Sequence, residues 1–420
     1  MKKLIVLLCL TTQLSAQKAE WTVLNCVGAC NNLSSYGIAN VELMKSANIS
    51  TKTNWLIQLD DATNKQTLRY KIASQGITDN ISIKQPLGIN QKEELITALH
   101  WAATYPARYF FLLFWDHGNG ILDQSKRWED YELRGLLYNF NQKTYLQNQE
   151  LKTALIQAST KILGKKIDII GMDACLMAML EVAYQIKDAA QYFIASQNIE
   201  KTPGWNYQKI IQTMNASDQT LDPLSFARIV VSTFMELNEW RNNISTLSVI
   251  DLTTIEDTKI AVDKMANELL VLLEKQPKQF HEIIRTARTA SINFDDKEYP
   301  YLGYIDLGSF IKNMIKLIDV LPMKSNNLKS KRSDNSYEKL KNTLLETLAT
   351  IKKSVVHMYA GAQFKETCGL SIYFPEDKIQ PSYLPTDFAQ ASSWTTYLQR
   401  YLQLRTYKFK WPVPLPRKGL

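Results

Sequence analysis

Residues 109–120 read YFFLLFWDHGNG, and this stretch decides the fold. Its first seven residues are apolar without alternation, which is typical of a strand buried on both faces of a parallel sheet covered by helices. Residues 167–175 repeat the pattern as IDIIGMDAC, a short strand at 167–171 followed by Met172, Asp173, Ala174 and Cys175. In open α/β sheets, ligands bind at the carboxyl ends of the parallel strands. The sequence therefore predicts a site where these two strands end.

Further elements extend outward from these two strands. We predict strands at 21–27, 54–59, 67–73, 192–195 and 369–374. We predict helices at 34–47, 91–103, 149–163, 176–186, 223–240, 253–275, 306–320 and 336–358. Strands that alternate with helices at this spacing indicate the α/β class, with a doubly wound, mostly parallel sheet flanked by helices. The C-terminal part is expected to be helical and to add a further strand.

The N-terminus predicts export. Lys2 and Lys3 precede an apolar run and a short polar stretch that ends at Ala16, which is the layout of a signal peptide cleaved near Ala16. We therefore expect a periplasmic or extracellular protein. No later stretch supplies the roughly 20 apolar residues of a membrane span. The expected organisation is a signal peptide at 1–16, a core that carries the site at 17–220, a helical region that completes the domain at 221–404 and a basic, Pro-rich tail at 405–420.

The charge and the cysteine content argue against a nucleic-acid-binding protein and against a disulfide-built scaffold. The chain has 49 basic and 41 acidic side chains, a net charge of +8, and the basic residues form no concentrated patch of the kind that binds nucleic acid. Four cysteines remain after the signal peptide, too few for a disulfide-built scaffold. Cys26 and Cys30 could form a bridge or be two small buried residues. No close spacing of cysteines and histidines suggests a metal site.

The predicted chemistry lies in His117 and Cys175, which follow the two buried strands. If the strands are neighbours, roughly 4.8 Å apart, both side chains converge above one sheet edge. An imidazole beside a thiol lowers the thiol pKa and can then protonate a leaving amine. The N–H groups of Gly118 and of Cys175, the latter expected at the start of a helix, form a candidate oxyanion hole. Either residue alone would fit a structural role, whereas the pair indicates a cysteine nucleophile with a histidine base.

The chain resembles the clostripain family of cysteine peptidases, which share the caspase-like fold. The resemblance covers nearly the whole mature chain. Its most specific parts are the Trp-Asp-His-Gly and Asp-Ala-Cys-Leu-Met motifs. The matching segments, in order, are WTVLNCVGACNNL at 21, WLIQLDDA at 55, FLLFWDHGNGI at 111, IDIIGMDACLMAMLEVAYQI at 167, IASQNIEKTPGWNY at 194, TLSVIDL at 246, YIDLGSF at 304 and GLSIYFP at 369. The resemblance implies a His117–Cys175 dyad without an essential third member.

The resemblance also implies cleavage after Arg or Lys. An acidic residue two positions before the nucleophile helps such enzymes bind the cation, and Asp173 has that position, although a strand-end carboxylate could equally cap a following helix. Family members often carry a second acid before the Gly-Trp of the next loop, where this chain has Pro203, with Glu200 close by. Trp205 is a candidate wall of the pocket or a core residue.

Several relatives mature by a cut in the connection between the two catalytic strands. This connection, at 122–147, holds four basic residues: Lys126, Arg127, Arg134 and Lys143. We expect a zymogen that cleaves itself after Arg127 or Arg134; a charged, solvated loop is the alternative. The founding family member uses calcium, but Asp60, Asp61 and Asp130 lack calcium-loop spacing.

The sequence thus predicts an exported cysteine endopeptidase that acts on proteins or peptides with a basic P1 residue. We expect a monomer that needs no cofactor for its chemistry and binds no nucleic acid. Two alternatives stay open at this point. One is a peptidase or transpeptidase with a different P1 preference, and the other is a non-catalytic caspase-like binding protein.

Overall fold

A nine-stranded sheet forms the centre of the computed structural model, which describes residues 19–61, 66–74, 76–83, 91–123, 135–236, 243–295, 302–321 and 335–406. The strand order is β10-β8-β7-β6-β5-β1-β2-β3-β4. Its strands are β1 Ala19–Ala29, β2 Thr53–Asp61, β3 Gln66–Ala73, β4 Gly76–Ile83, β5 Ala107–Trp115, β6 Ile167–Asp173, β7 Ala190–Ala195, β8 Thr246–Asp251 and β10 Val355–Ala360. The five central strands, from β7 to β2, are parallel, and antiparallel strands flank them on both sides.

Helices cover both faces of this sheet. They are α1 Ser34–Lys45, α2 Gln91–Ala103, α3 Asn148–Gln157, α4 Leu180–Ile186, α5 Tyr207–Asn215, α6 Pro223–Phe234, α7 Ile255–Lys275, α8 Pro277–Ala290, α9 Leu307–Asp319, α10 Ser336–Ser354, α11 Asp387–Ala391 and α12 Ser393–Gln403. A π-helical turn, Ala158–Ile162, extends α3. Helices α1, α5 and α6 pack on one face, and α2, α3, α4 and α7 pack on the other. No helix among the described residues is both long and apolar enough to cross a membrane.

From Phe110 to Trp115, strand β5 is buried on both faces, as its apolar sequence predicts. Along β5, alternate residues belong to opposite cores: Leu112 and Phe114 pack with α2 and α3, whereas Leu113 and Trp115 pack with α1 and α5. This alternation follows from the two-residue period of a strand. Because neither face meets water, the sequence shows a continuous apolar run in place of alternation.

A second, two-stranded sheet lies beside the main one. Strands β9 Tyr304–Asp306 and β11 Ser371–Tyr373 pair antiparallel. The strand predicted at 369–374 is therefore confirmed, and its partner is β9. Ser371 also forms a parallel bridge with Met179. This bridge ties the small sheet to the segment that follows β6.

Two predicted helix boundaries are wrong. The helix predicted at 336–358 ends at Ser354, because residues from Val355 onward form β10, which pairs antiparallel with β8. Two consecutive β-branched residues at 355 and 356 favour this strand. The helix predicted from Leu176 begins at Leu180. Strands β4, β8, β9 and β10 and helices α5, α8, α11 and α12 were not predicted. The segments 1–18 and 407–420 lie outside the described residues.

Candidate functional site

The candidate site lies at the carboxyl edge of the main sheet, at a switch point of its topology. From β1 the chain passes to β2 on one side, whereas β5 lies on the other side of β1 and leads to β6. A switch point of this kind leaves a crevice beyond the strand ends. Trp115 at the end of β5 is in register with Asp173 at the end of β6. His117 and Cys175 therefore each follow a strand end by two residues, on neighbouring strands.

His117 is held at both its ring and its backbone. Its side-chain atom Nε2 lies 2.7 Å from Oδ1 of Asn32, in the turn that follows β1. Its backbone N–H donates to Oδ1 of Asp116 at 2.6 Å. The residue is only 6% exposed. The imidazole is thus fixed at the crevice by the turn after β1.

Asp116 connects three segments around His117. Its Oδ1 also accepts a hydrogen bond from Nδ2 of Asn31 at 2.7 Å, and its Oδ2 accepts one from the backbone N–H of Tyr138 at 2.6 Å. Burial raises the pKa of this carboxyl well above its usual value, and the hydrogen bonds from His117, Tyr138 and Asn31 oppose that rise. Asp116 therefore joins the turn after β1, the loop after β5 and the segment that begins at residue 135.

Cys175 lies in a turn after β6 and contacts the backbone of Glu200. Its Sγ accepts a hydrogen bond from the Glu200 N–H at 3.3 Å and lies 3.7 Å from the Glu200 carbonyl oxygen. The residue is 8% exposed. The thiol thus borders the crevice between the loop after β5 and the loop after β7.

The turn at Cys175 corrects the expectation that this residue begins a helix. Leu176 has a φ of 67°, which is uncommon for a residue with a side chain. Its N–H donates to the Asn198 carbonyl at 3.1 Å, and the Ala178 N–H donates to the Ser196 carbonyl at 2.8 Å. These bonds hold the segment against the loop after β7, so that α4 begins only at Leu180. The Cys175 N–H is therefore not at a helix N-terminus.

Gly118 packs directly on the backbone of Cys175. A Cβ added to Gly118 would lie 2.2 Å from the Cys175 carbonyl oxygen and 2.9 Å from its nitrogen. Only a glycine permits the two backbones to approach so closely. The two N–H groups predicted as oxyanion donors thus belong to residues in direct backbone contact.

Asp173 lies at the floor of the crevice and is 4% exposed. Its Oδ2 accepts hydrogen bonds from the Trp205 backbone N–H at 2.8 Å and from the Tyr207 hydroxyl at 2.5 Å. Gly204, with a φ of 94°, packs against this carboxylate, because an added Cβ would lie 2.4 Å from Oδ2. The carboxylate thus binds the loop after β7 and does not cap a helix that begins at the next residues.

Glu200 supplies a second acidic group near Asp173. Burial raises the pKa of Tyr207 well above its usual value, and the charges of Asp173 and Glu200 raise it further. Both Glu200 carboxylate oxygens are shielded from solvent. Glu200 lines the cleft three residues before Pro203. Pro203 instead presents its carbonyl oxygen to the side chains of Trp115 and Asn40.

The crevice encloses a cleft of about 190 Å³. The predicted residues His117, Cys175, Asp173 and Glu200 all line it. Trp205 does not, because its side chain is 2% exposed and packs in the core below Gly171. The complete lining is Asn32, Leu33, Trp115, Asp116, His117, Asp173, Ala174, Cys175, Ile199, Glu200, Lys201, Thr202 and Gly204.

Sequence reasoning missed three residues with a place at this site. Asn32 contacts the His117 ring, Tyr207 contacts Asp173, and Lys201 lines the cleft. The rule that located His117 and Cys175 also applies to Asn32, since it follows the end of β1 at the same sheet edge. Tyr207 and Lys201 carried no comparable signal.

Lys143 is the one candidate processing residue within the described segments. It lies exposed in a tight turn, where the Asn139 N–H donates to the Thr144 carbonyl at 2.9 Å. Its φ is 54°. Lys126, Arg127 and Arg134 lie outside the described residues.

Cys26 and Cys30 are free buried thiols, and burial raises the pKa of both. Among the described residues, no group of three His, Cys, Asp or Glu side chains is arranged to hold a metal ion. Asp60 is buried and accepts a hydrogen bond from the Thr67 hydroxyl at 2.9 Å. Asp130 lies outside the described residues.

Comparisons with known proteins agree with this architecture. A model of the clostripain family matches residues 26–414. Clostripain from Hathewaya histolytica is 23% identical over 432 residues, a match that covers 86% of this chain and 76% of that protein. The chain belongs to the clostripain family, and it is a cysteine endopeptidase.

Solved structures confirm the caspase-like α/β fold. One similar structure is a secreted C11 cysteine protease from Bacteroides thetaiotaomicron with an irreversible peptide inhibitor. It has a TM-score of 0.60 and 17% identity, over 90% of this chain and 99% of that one. Another is an inactive zymogen C11 protease from Parabacteroides distasonis. It has a TM-score of 0.58 and 20% identity, over 91% of this chain and 98% of that one.

Proposed function

We propose that this peptidase attacks the peptide carbonyl with Cys175 as nucleophile and His117 as general acid and base, and that it prefers Arg or Lys at P1. The observation that carries the proposal is the meeting of three groups at one sheet edge. These are the His117 ring, the Cys175 thiol and the backbone contact between Gly118 and Cys175. The chemistry needs no cofactor, because a thiolate and an imidazole supply both nucleophile and proton.

The reaction follows from these positions. The Cys175 thiolate attacks the carbonyl carbon, and the resulting oxyanion accepts hydrogen bonds from the N–H groups of Gly118 and Cys175. His117 then donates its proton to the departing amine, which leaves a thioester on Cys175. Water, deprotonated by His117, hydrolyses the thioester and restores the thiol.

The acidic floor of the cleft supports a basic P1 residue. Asp173 and Glu200 both line the cleft that contains Cys175, and the charges of both raise the pKa of Tyr207. A guanidinium or ammonium group that reaches this floor would gain charge-assisted hydrogen bonds. Lys201, which also lines the cleft, reduces the net negative charge there.

We also propose export after removal of residues 1–16 and self-processing within the 122–147 connection. Lys143 is the least suitable site, because a protease binds an extended chain and Lys143 lies in a hydrogen-bonded turn. Arg127 and Arg134 remain the favoured sites. A single uncut band from fully active enzyme would contradict self-processing.

The test compares the mature protein with Cys175→Ala, His117→Ala, Asp173→Asn and Glu200→Gln on fluorogenic peptides with Arg, Lys, Asp or Leu at P1. Asp188→Asn is the matched control, since Asp188 is an exposed carboxylate remote from the cleft. We expect turnover of the Arg and Lys peptides to vanish in both dyad variants. Asp173→Asn should lower kcat/KM for these peptides by roughly 100-fold, which reflects the loss of a charge-assisted contact.

Two results would contradict the proposal. Activity that persists in Cys175→Ala would exclude the nucleophile. Equal turnover of Leu and Arg peptides, unchanged in Asp173→Asn and Glu200→Gln, would exclude the basic P1 preference while leaving the dyad intact. The peptide panel thus separates the chemistry from the specificity.

A further inference from the structure

We propose that Asn32 is a positioning residue of the reaction, which fixes the tautomer of His117 and stabilises its protonated form. This inference rests on the proposed dyad and adds to it a member from the turn after β1. The carrying contact is the 2.7 Å distance between Asn32 Oδ1 and His117 Nε2. Asn32 also lines the cleft.

The contact selects one tautomer. The amide oxygen of Asn32 can only accept, so Nε2 must carry the proton. In the neutral ring the lone pair then lies on Nδ1, which is the nitrogen that can take the proton of Cys175. Once His117 is protonated, the same Nε2–H bond becomes charge-assisted and stronger. Asn32 therefore favours the thiolate–imidazolium pair over the neutral pair.

Asn32 is held in place by its neighbour. The side chain of Asn31 is 6% exposed, and its Oδ1 accepts from the Leu33 N–H at 2.9 Å. Its Nδ2 donates to the Gly28 carbonyl at 3.2 Å and to the Tyr138 carbonyl at 3.0 Å. These bonds fix the backbone on both sides of Asn32.

One carboxylate oxygen aligns the two partners. Oδ1 of Asp116 accepts from Asn31 Nδ2 at 2.7 Å and from the His117 backbone N–H at 2.6 Å. The residue before Asn32 and the backbone of His117 therefore share an anchor. A contact built on a common anchor costs little conformational entropy when it forms, which is what a positioning bond requires.

The experiment compares wild type with Asn32→Ala, Asn32→Asp and the control Ser35→Ala, an exposed position in the adjacent helix α1. Steady-state kinetics on an Arg peptide are measured from pH 5 to 10. In parallel, the rate of Cys175 alkylation by iodoacetamide is followed against pH by mass spectrometry of the modified peptide. Alkylation reports the thiolate fraction and does not require turnover.

For Asn32→Ala we expect kcat to fall roughly 10- to 100-fold with KM within about twofold, since the bond acts on the acid–base group and not on substrate. The basic limb of the kcat profile against pH should move to lower pH, because the protonated His117 ring loses Asn32 Oδ1 as its hydrogen-bond acceptor. Cys175 alkylation should slow at neutral pH. Asn32→Asp keeps an acceptor and adds a charge, so it should restore most of kcat and move the basic limb to higher pH.

Three outcomes would overturn the inference. One is an Asn32→Ala enzyme whose pH limbs and alkylation rates match wild type, whatever its thermal stability. A second is an Asn32→Asp enzyme that is no better than Asn32→Ala, which indicates that Asn32 serves only the turn. The third is a wild-type alkylation profile that His117→Ala leaves unchanged. This last result would contradict the His117–Cys175 dyad, and with it the proposed function. The first two results would contradict only the role of Asn32.

Discussion

Gly118 is a residue at which the site has little room for a side chain. Its backbone does not need a left-handed conformation, so the requirement for glycine comes from contact alone. The Cys175 carbonyl oxygen would lie 2.2 Å from any added Cβ, and the Ala174 Cβ would lie 3.1 Å from it. Both neighbours follow β6 in a turn held by backbone bonds, so neither can move far.

We therefore expect Gly118→Ala to lower kcat/KM at least roughly 100-fold, because a displacement of about 1 Å between the reacting groups is enough for such a loss. The control is Gly164→Ala, where φ is 66° but no atom lies within 4 Å of the added Cβ. That variant should lose about 1 kcal/mol of stability and keep wild-type kcat/KM. The measurements are peptide hydrolysis and urea unfolding. Wild-type activity in Gly118→Ala would show that the contact between the two loops is not needed.

For single residues, the sequence identifies those that follow the ends of strands, but it does not identify the contacts that their side chains make. His117 and Cys175 were selected because each follows an apolar run. Asn32 meets the same criterion, yet its bond to His117 depends on a turn whose geometry is set by Asn31 and Asp116. Long-range hydrogen bonds of this kind span 85 residues of sequence and leave no local pattern.

Among the elements, the segment between β6 and α4 shows most clearly where sequence prediction fails. Residues 176–186 have the apolar character of a buried helix, so the periodicity predicts a helix from Leu176. Tertiary contacts override that preference over four residues, through the Leu176 and Ala178 backbone bonds and the Met179–Ser371 bridge. A similar override turns the end of the helix predicted at 336–358 into β10. The interiors of the two helices predicted at 176–186 and 336–358 were thus predictable, whereas these boundaries depend on distant partners.

Helix α4 also carries a buried carboxyl group that faces the small sheet. Glu181 is fully buried, and its Oε1 accepts from the Tyr373 N–H of β11 at 2.8 Å. Its Oε2 has no hydrogen-bond partner among the residues that the structure describes. Burial raises the pKa of this group from 4.5 to about 7. The folded protein therefore holds a proton at Glu181 that the unfolded chain releases at lower pH.

This difference predicts a pH dependence of stability. Because the folded pKa is raised, the stabilisation is complete below about pH 4.5 and is lost as the pH rises to about 7. A rise of this size corresponds to about 3 kcal/mol. Glu181→Gln cannot ionise, so it should lack this part of the loss of stability with rising pH. At pH 8 it should unfold at a higher urea concentration than its parent. The pKa values of Asp60 and Asp123 are also raised, to about 6, so these two groups still make the variant less stable as the pH rises.

Urea unfolding at pH 5, 6, 7 and 8, in a Cys175→Ala background that prevents autolysis, measures the effect. Glu366→Gln, at an exposed position, is the matched control and should follow the parent at every pH. If Glu181→Gln loses stability with pH as steeply as its parent, Glu181 is not the group that titrates.

For the whole molecule, the central sheet joins two halves of the chain that the connection after residue 123 separates. Strands β1 to β5 precede the connection, and β6, β7, β8 and β10 follow it. The halves are paired in parallel through β5 and β6, from Phe111 with Ile169 to Trp115 with Asp173. Within the connection, after residue 134, Tyr138 bonds to Asp116 and Asn31, and the Phe140 N–H donates to the Cys30 carbonyl at 3.0 Å. The chain on both sides of residues 124–134 is therefore anchored to the site.

A cut within 124–134 should accordingly leave one folded, active molecule made of two fragments. A recognition sequence for a foreign protease placed there, in the Cys175→Ala background, allows cleavage without interference from self-processing. The cut fragments should elute together in native size-exclusion chromatography and separate only in denaturant, since buried strand pairing and both apolar cores hold them. The same insertion in the active background should keep kcat/KM at or above the uncut value. The uncut insertion variant is the control for the added residues. Fragments that separate without denaturant, or a cut enzyme that loses activity while the uncut form keeps it, would show that the anchors at Asp116 and Cys30 do not suffice to hold the site together.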